Sequence, residues 1–495
     1  MLALAPDTLI MAALTIPIIG ALLIPLFHNA PNARESVTLI TAGALALTVW
    51  SLLPHVLAGA RPAAIDLAVV PGLNIAFQVE PLGMLFALVA ATLWLVTSVY
   101  SIGYMRGNDE PRQTSFYVCF AIALWATMGI AFAKNLFTLF IFYEILTLST
   151  YPLVAHKANA EAIRAGRIYL LILIGTSMVL LLPAIAWTWV LSGTLDFIPG
   201  GILKDKATPF ALCALLALFA FGIGKAALMP LHFWLPAAMV APTPVSALLH
   251  AVAVVKAGVF TILKVIVYTF GIETLAYAGS GGWLVYAAGF TIIAASLVAL
   301  RKDNLKARLA YSTVSQLSYV ILAAAILAPI SAVGAAMHIA AHAVSKITLF
   351  FAAGSIYTAA HKTEISELAG IGRRMPWTMG AFTIGAISMI GLPPTAGFLG
   401  KWFMLSGAMQ TGQWLPIAII VASTLLNAAY FLPIVYTAFF EREPAAHAVG
   451  ADAARDHGEA PLPIVIALTF TAAATVGLFL FPEVPLALAK LMAGV

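Results

Sequence analysis

Residues 221–250 read FGIGKAALMPLHFWLPAAMVAPTPVSALLH, an apolar run interrupted by Pro230 and Pro236 and carrying Lys225 near its start. Each proline lacks an N–H and frees the carbonyl four residues earlier, those of Ala226 and His232. Freed carbonyls persist at membrane depth only against protein or a water-lined cavity. A lysine beside such a break points to a charge pathway within a helical membrane protein.

The rest of the chain agrees. Of its 495 residues 62% are hydrophobic and 9% charged, with a mean hydropathy of +1.01. Soluble chains carry about 25% charged residues, and the apolar runs here repeatedly exceed the ~18–20 residues that cross a bilayer. The net charge of +5 comes from basic residues scattered singly between apolar runs, which excludes nucleic acid as a partner. Cys119 and Cys213 stand alone in hydrophobic segments, as small core residues do. The segment Met1–Asp7 has no basic stretch and leads into a run long enough to span, so the first helix is expected to be retained.

Apolar runs between polar or Gly/Pro breaks predict an all-α polytopic protein of about fourteen spans: 4–27, 36–57, 80–104, 115–132, 135–154, 164–192, 208–239, 244–270, 281–300, 306–328, 331–359, 376–406, 413–440 and 461–489. Loops after odd-numbered spans hold most of the loop lysines and arginines, among them Arg106, Arg112, Lys157, Lys302, Arg373 and Arg374. Loops after even-numbered spans hold only Arg61, Lys134, Lys204 and Lys206. The positive-inside rule then puts both termini on the outer side of a bacterial-type inner membrane.

Six lysines remain within spans. Lys490 lies near the end of the last helix and Lys264 within snorkelling reach of its own, so both are expected to be anchors. Lys225, Lys256, Lys346 and Lys401 lie deeper, as does Glu144. A charge at a helix centre costs ~2.5–3.5 kcal/mol, so these five together cost on the order of 15 kcal/mol, a penalty that suggests function.

A second interrupted run, MIGLPPTAGFLGKW, has Pro393 and Pro394 between two apolar halves, followed by Lys401. Broken spans about five apart are the pattern of inverted repeats in transporters. The expected organisation is three leading helices over 1–114, inverted five-helix repeats over 115–270 and 281–440, a polar cytoplasmic loop at 441–460 and a last helix in 461–495.

Glu144, in LFIFYEILTLSTYPL, is either half of an ion pair or a protonatable site, with Lys225 its natural partner. Bringing the carboxylate up or away would switch the lysine between holding and releasing a proton, whereas a static pair would be merely structural. In HIAAHAVSK, His338, His342 and Lys346 recur at i, i+4 and i+8 on nearly one helical face, a spacing suited to relaying protons through waters. Metal or haem ligation and plain core histidines are the rival readings. A bare His-x3-His lacks the glutamate of a zincin motif, so neither metal nor cofactor is expected. Lys256 is deep enough to bridge Glu144 and Lys225 to these histidines. His250 lies on another face, His232 and Trp234 beside Pro230 serve to fix the broken helix, and the hydroxyls of 312–318 would hold waters or helix contacts.

YEILTLSTYPLV, GKAALMPLHFWLPAAMVAPTPVSALLH, KARLAYSTVSQLSY, HIAAHAVSKITLFF and GLPPTAGFLGKW together resemble the antiporter-like subunits of respiratory complex I and of Mrp-type multisubunit cation/proton antiporters. The similarity runs from about the third span to the thirteenth. It implies a fourteen-helix core with two inverted five-helix repeats and a midplane line of ionisable residues. Glu144 and Lys225 resemble the family's glutamate–lysine pair, Lys256 its bridging lysine, Lys346 the lysine of span eleven and Lys401 the terminal lysine. One complex I type has glutamate where Lys401 stands, which favours a lysine-bearing type such as the D-type Mrp protein. The wording after Glu144 is atypical of that D type, and the absence of further spans after the fourteenth argues against the largest type.

The expected activity is proton translocation along these residues, with Na⁺ or another monovalent cation as counter-substrate and other membrane subunits and the lipid bilayer as partners. A proton-pumping subunit of an NADH-quinone oxidoreductase or membrane-bound hydrogenase is the alternative. An intramembrane metal or haem enzyme and a scaffold with relic ion pairs are further rivals. The chain has no cysteine cluster or glycine-rich phosphate loop, so any redox chemistry is expected to belong to partners.

Overall fold

The computed structural model describes residues 5–70, 72–442 and 458–495, with backbone only at 249 and 250. Helices α1 (Pro6–Leu23) and α2 (Pro31–Leu57) precede a hairpin of β1 (Ala63–Val70) and β2 (Leu73–Gln78). Then follow α3 (Pro81–Gly107), α4 (Gln113–Ala131), α5 (Leu136–Val154) and α6 (Ala160–Ser192), the last with a π-helical turn at Ser177–Leu181. The first broken span begins with α7 (Pro209–Gly222) and is followed by α8 (Val254–Phe270), α9 (Gly282–Leu300), α10 (Leu305–Ala325) and α11 (Pro329–Ala360). The second broken span is α12 (Pro376–Ile390) and α13 (Gly397–Gln410), after which come α14 (Trp414–Phe440), α15 (Leu462–Leu480) and α16 (Glu483–Ala493).

Local chemistry sets many helix starts. Proline occupies the first turn of α1, α2, α3, α7, α11, α12 and α15, where its missing N–H has no helical partner to lose. Side chains of Asn135, Asn159 and Asn304 cap α5, α6 and α10 by accepting a backbone N–H of the first turn.

Among the described residues ten helices are long and apolar enough to cross a membrane, or eleven if α8 is joined to Ile272–Ala278, which bends away by 75°. The protein is a multi-pass helical membrane protein, and fourteen remains the expectation from the sequence. The difference lies where proline breaks shorten α7 and α12 or polar residues dilute α10. The run expected as span 461–489 is two helices, because α15 ends at Leu480 before Pro482 and α16 begins after it. The expected polar loop at 441–460 falls mostly outside the described residues.

The hairpin was not anticipated. It pairs Ala63 with Gln78 and Val70 with Leu73, and the Asn74 amide donates to Asp66 at 2.6 Å. Its outer strand leaves Ile65, Leu67, Val69 and Val70 exposed. Its inner strand is tied to α5 by the Asn135 amide, which donates to the Asn74 carbonyl at 3.0 Å.

At the centre stands α11, whose most apolar window is 94% buried, against 44% for α1. It packs on α3, α10, α12, α13 and α15. A helix surrounded by protein can carry His338, His342 and Lys346 without presenting them to lipid.

Candidate functional site: a line of buried cations

After α7 the backbone turns through Gly224–Ala226, runs through Met229–Pro230 and resumes at Trp234–Ala237. Trp234 Nε1 donates to the Gly224 carbonyl at 3.0 Å, and the His232 ring lies against Phe233, with Nδ1 3.3 Å from the Pro230 carbonyl. These two side chains pack across the break. Pro236 lies within the short Trp234–Ala237 helix. The side chain of His250 lies outside the described residues.

Lys225 is fully buried in this turn. Its ammonium donates to the Tyr143 carbonyl at 2.8 Å and to Thr147 Oγ1 at 2.5 Å, and lies 3.2 Å from the centre of the Tyr143 ring. Gly258 of α8 lets this happen: a Cβ there would collide with backbone atoms of Lys225 and Ala226. The expected ion pair with Glu144 is not formed. Both Glu144 carboxylate oxygens are buried with no hydrogen-bond partner. At about 100° per residue, the α5 face that offers the Tyr143 carbonyl and Thr147 to the lysine turns Glu144 aside.

On α8 the fully buried Lys256 Nζ lies 2.5 Å from Nδ1 of His342 on α11. One turn earlier on α11, the His338 ring stacks at 6.0 Å from that of His342 and at 5.6 Å from that of Tyr319 on α10. The Tyr319 ring in turn faces the Lys401 ammonium of α13 at 5.0 Å. A continuous series of contacts therefore joins Lys256 to Lys401. Tyr319 is the link that the sequence reading missed: it follows the polar run 312–318, but the spacing along α10 does not reveal which neighbouring helix it faces.

Lys401, 5% exposed, donates to the carbonyls of Ile390 at 2.7 Å and Met389 at 3.3 Å and to Thr424 Oγ1 at 3.1 Å. Those carbonyls end α12, where Gly391 takes a φ of +90° and Pro393 and Pro394 prevent the helix from continuing. Lys346 sits on a branch. It donates to Ser312 Oγ at 2.5 Å and to the Leu309 carbonyl at 3.3 Å, at the opposite end of the α11 row from His338.

Lys264 is not a snorkelling anchor. It is fully buried, pairs with Glu80 at 3.2 Å and donates to the Ala133 carbonyl at 2.9 Å. Glu80 also caps α3 through Leu82 and Gly83, and accepts from the Tyr268 hydroxyl at 2.9 Å. Closeness to a helix end gave Lys264 its surface reading, but Glu80, Ala133 and the Phe197 ring cover that end. The loop lysine Lys306 is likewise half-buried and donates to the Ala241 carbonyl at 2.6 Å.

Residues 133–427 match the family model described as NADH:quinone oxidoreductase/Mrp antiporter, TM, and residues 71–117 match NADH-Ubiquinone oxidoreductase (complex I), chain 5 N-terminus. The chain is 33% identical over 427 residues to NADH-quinone oxidoreductase subunit N of Desulforudis audaxviator, covering 83% of both chains. It is 28% identical to the A/B component of a probable K(+)/H(+) antiporter of Rhizobium meliloti, covering 89% of this chain but 44% of that one. The fold matches a chain of the Mrp complex from Dietzia sp. DQ12-45-1b with a TM-score of 0.84 at 21% identity, covering 99% and 97% of the two chains. The match to a chain of an archaeal membrane-bound sulfane sulfur reductase has a TM-score of 0.83 at 24% identity, covering 98% and 97%. The chain belongs to the NADH:quinone oxidoreductase/Mrp antiporter transmembrane family.

Proposed function

We propose that this chain is the proton-translocating, antiporter-like subunit of a multisubunit complex in a bacterial inner membrane, with both termini on the outer side. The reading rests above all on the contact series from Lys256 through His342, His338 and Tyr319 to Lys401. Protons move between the two broken spans, with Lys225 and Lys401 as the ends of the path and Lys256, His342 and His338 as relays. Lys346 tunes the relay electrostatically from its branch.

Glu144 acts as the switch. Its carboxylate makes neither a hydrogen bond nor an ion pair with Lys225, whose ammonium donates to neutral oxygens. Approach of the carboxylate would favour the charged lysine, and retreat would favour its release of a proton. The two halves, 115–270 and 281–440, are read as the inverted repeats that hold the two breaks.

The counter-substrate is a monovalent cation, Na⁺ foremost, exchanged against protons with the help of other membrane subunits. The names of antiporter relatives support this reading. A second reading, a pumping subunit of a quinone-reducing complex, is favoured by the 33% identity to the subunit N relative across 83% of both chains. The proteins that co-purify with the chain separate the two. Proton uptake into proteoliposomes holding the assembled complex tests the common core. Lys225→Ala and Glu144→Ala are each expected to abolish it with assembly intact, and wild-type uptake in both would overturn the scheme.

A further inference from the structure

The oxygens around the Lys401 ammonium form a pocket of a kind that also suits an alkali cation. The Ile390 and Met389 carbonyls come from the negative end of a half-helix, and Thr424 Oγ1 completes a set of neutral oxygens at 2.7, 3.3 and 3.1 Å from Nζ. Met389 is shared, since its carbonyl also accepts from Asn427 Nδ2 at 3.2 Å and Gln316 Nε2 at 3.4 Å. The Tyr319 hydroxyl lies beside those of Ser423 and Thr424. Tyr319 and Ser423 are fully buried, and the Tyr319 ring faces the ammonium. A hydroxyl oxygen has two acceptor lone pairs, so each can turn one towards a cation in the cage.

We propose that this cage is a binding site for a monovalent alkali cation, and that Lys401 and the cation compete for it. The inference rests on the antiport reading above and names where the counter-substrate binds. Half-helix carbonyls and unwound backbone are the ligands with which membrane transporters hold such ions. The titratable groups facing the cage are the Tyr319 phenol on α10, the His338 imidazole on α11 and, behind Asn427, the Tyr430 phenol on α14. With no carboxylate among its donors, the cage favours a single positive charge over a divalent ion.

The exchange balances. An N–H bond of the ammonium breaks, its electron pair stays on Nζ, and the proton leaves towards His338 and water. The neutral amine then withdraws or adds its lone pair to the cation, and the site keeps one positive charge throughout. Binding one cation thus releases one proton at the end of the proton path, which makes the coupling obligatory.

The test uses the purified assembled complex in weakly buffered detergent solution, with NaCl and KCl as probes and choline chloride as control. Proton release is read by a pH indicator and binding by ²²Na⁺. Wild type is expected to release one proton more per complex than Lys401→Ala. Its apparent Na⁺ affinity is expected to rise by up to about tenfold per pH unit while the lysine is protonated. Lys401→Ala is expected to keep Na⁺ binding and lose this component of the pH dependence.

Equal proton release from the two proteins, or loss of Na⁺ binding in Lys401→Ala, overturns the proposal. Thr424→Val guards against misassembly of that variant. It should shift the NaCl dependence of proton release to severalfold higher concentration, and an unshifted curve also overturns the proposal. If Lys225→Ala still blocks proton uptake while these cation experiments fail, the site is refuted and the proton path stands.

Discussion

Lys256 Nζ and His342 Nδ1 face each other at 2.5 Å across α8 and α11. At that separation both groups cannot carry a charge in a buried site, so the two titrate as a unit. Lys256→Ala and His342→Ala are therefore each expected to cut proton uptake by at least about tenfold, and the double variant to be no worse than either alone, as residues acting as a unit behave. Rates in proteoliposomes that multiply in the double variant would show two independent sites.

Gly258 controls how closely α8 approaches the Lys225 turn. Gly258→Ala should force a Cβ against backbone, costing on the order of 1–3 kcal/mol as overpacking does. Uptake should fall together with resistance to heating, measured as assembled complex surviving a temperature ramp. Unchanged values for both would mean that the turn yields freely.

The buried pair Glu80–Lys264 has a structural role. Lys264→Met alone should leave the Glu80 carboxylate buried and unpaired and cost about 3–5 kcal/mol, whereas adding Glu80→Gln should recover much of that loss. Assembled yield after heating provides the measure, and a double variant as weak as the single would show that the charge itself is needed.

His156, in the loop after α5, supplies a pH dependence. Burial, with Arg112 and Lys157 nearby, lowers its imidazole from 6.5 to about 4, although the Glu110 carboxylate lies 3.7 Å from Nε2. The unfolded chain therefore binds a proton that the folded chain refuses between about 6.5 and 4, and stability should fall as the pH drops through that window. His156→Gln should flatten the acid limb of a stability-against-pH curve, and an unaltered limb would remove His156 as its cause.

Much of the site was legible because hydrocarbon is a severe filter. A lysine among apolar residues stands out, and so does a proline pair inside a span, so Lys225, Lys256, Lys346 and Lys401 could be named with both breaks. His338 and His342 followed from helical spacing, which survives in any straight helix. The hairpin was lost because its strands, AAIDLAVV and LNIAFQ, are short apolar runs with too little alternation to mark them as strands. Lys264 was misread because depth along a helix does not reveal what covers the helix end.

The amino-acid order alone determined a multi-pass helical membrane protein with charges buried at two interruptions, since chain polarity and backbone chemistry are local properties. Partners were decided by the tertiary structure. Only packing set Tyr319 between His338 and Lys401, moved Lys346 to a branch, left Glu144 without a hydrogen bond to Lys225 and joined Lys264 to Glu80. Such contacts depend on the rotation and depth of neighbouring helices to within an ångström or two, and no spacing along one helix specifies that.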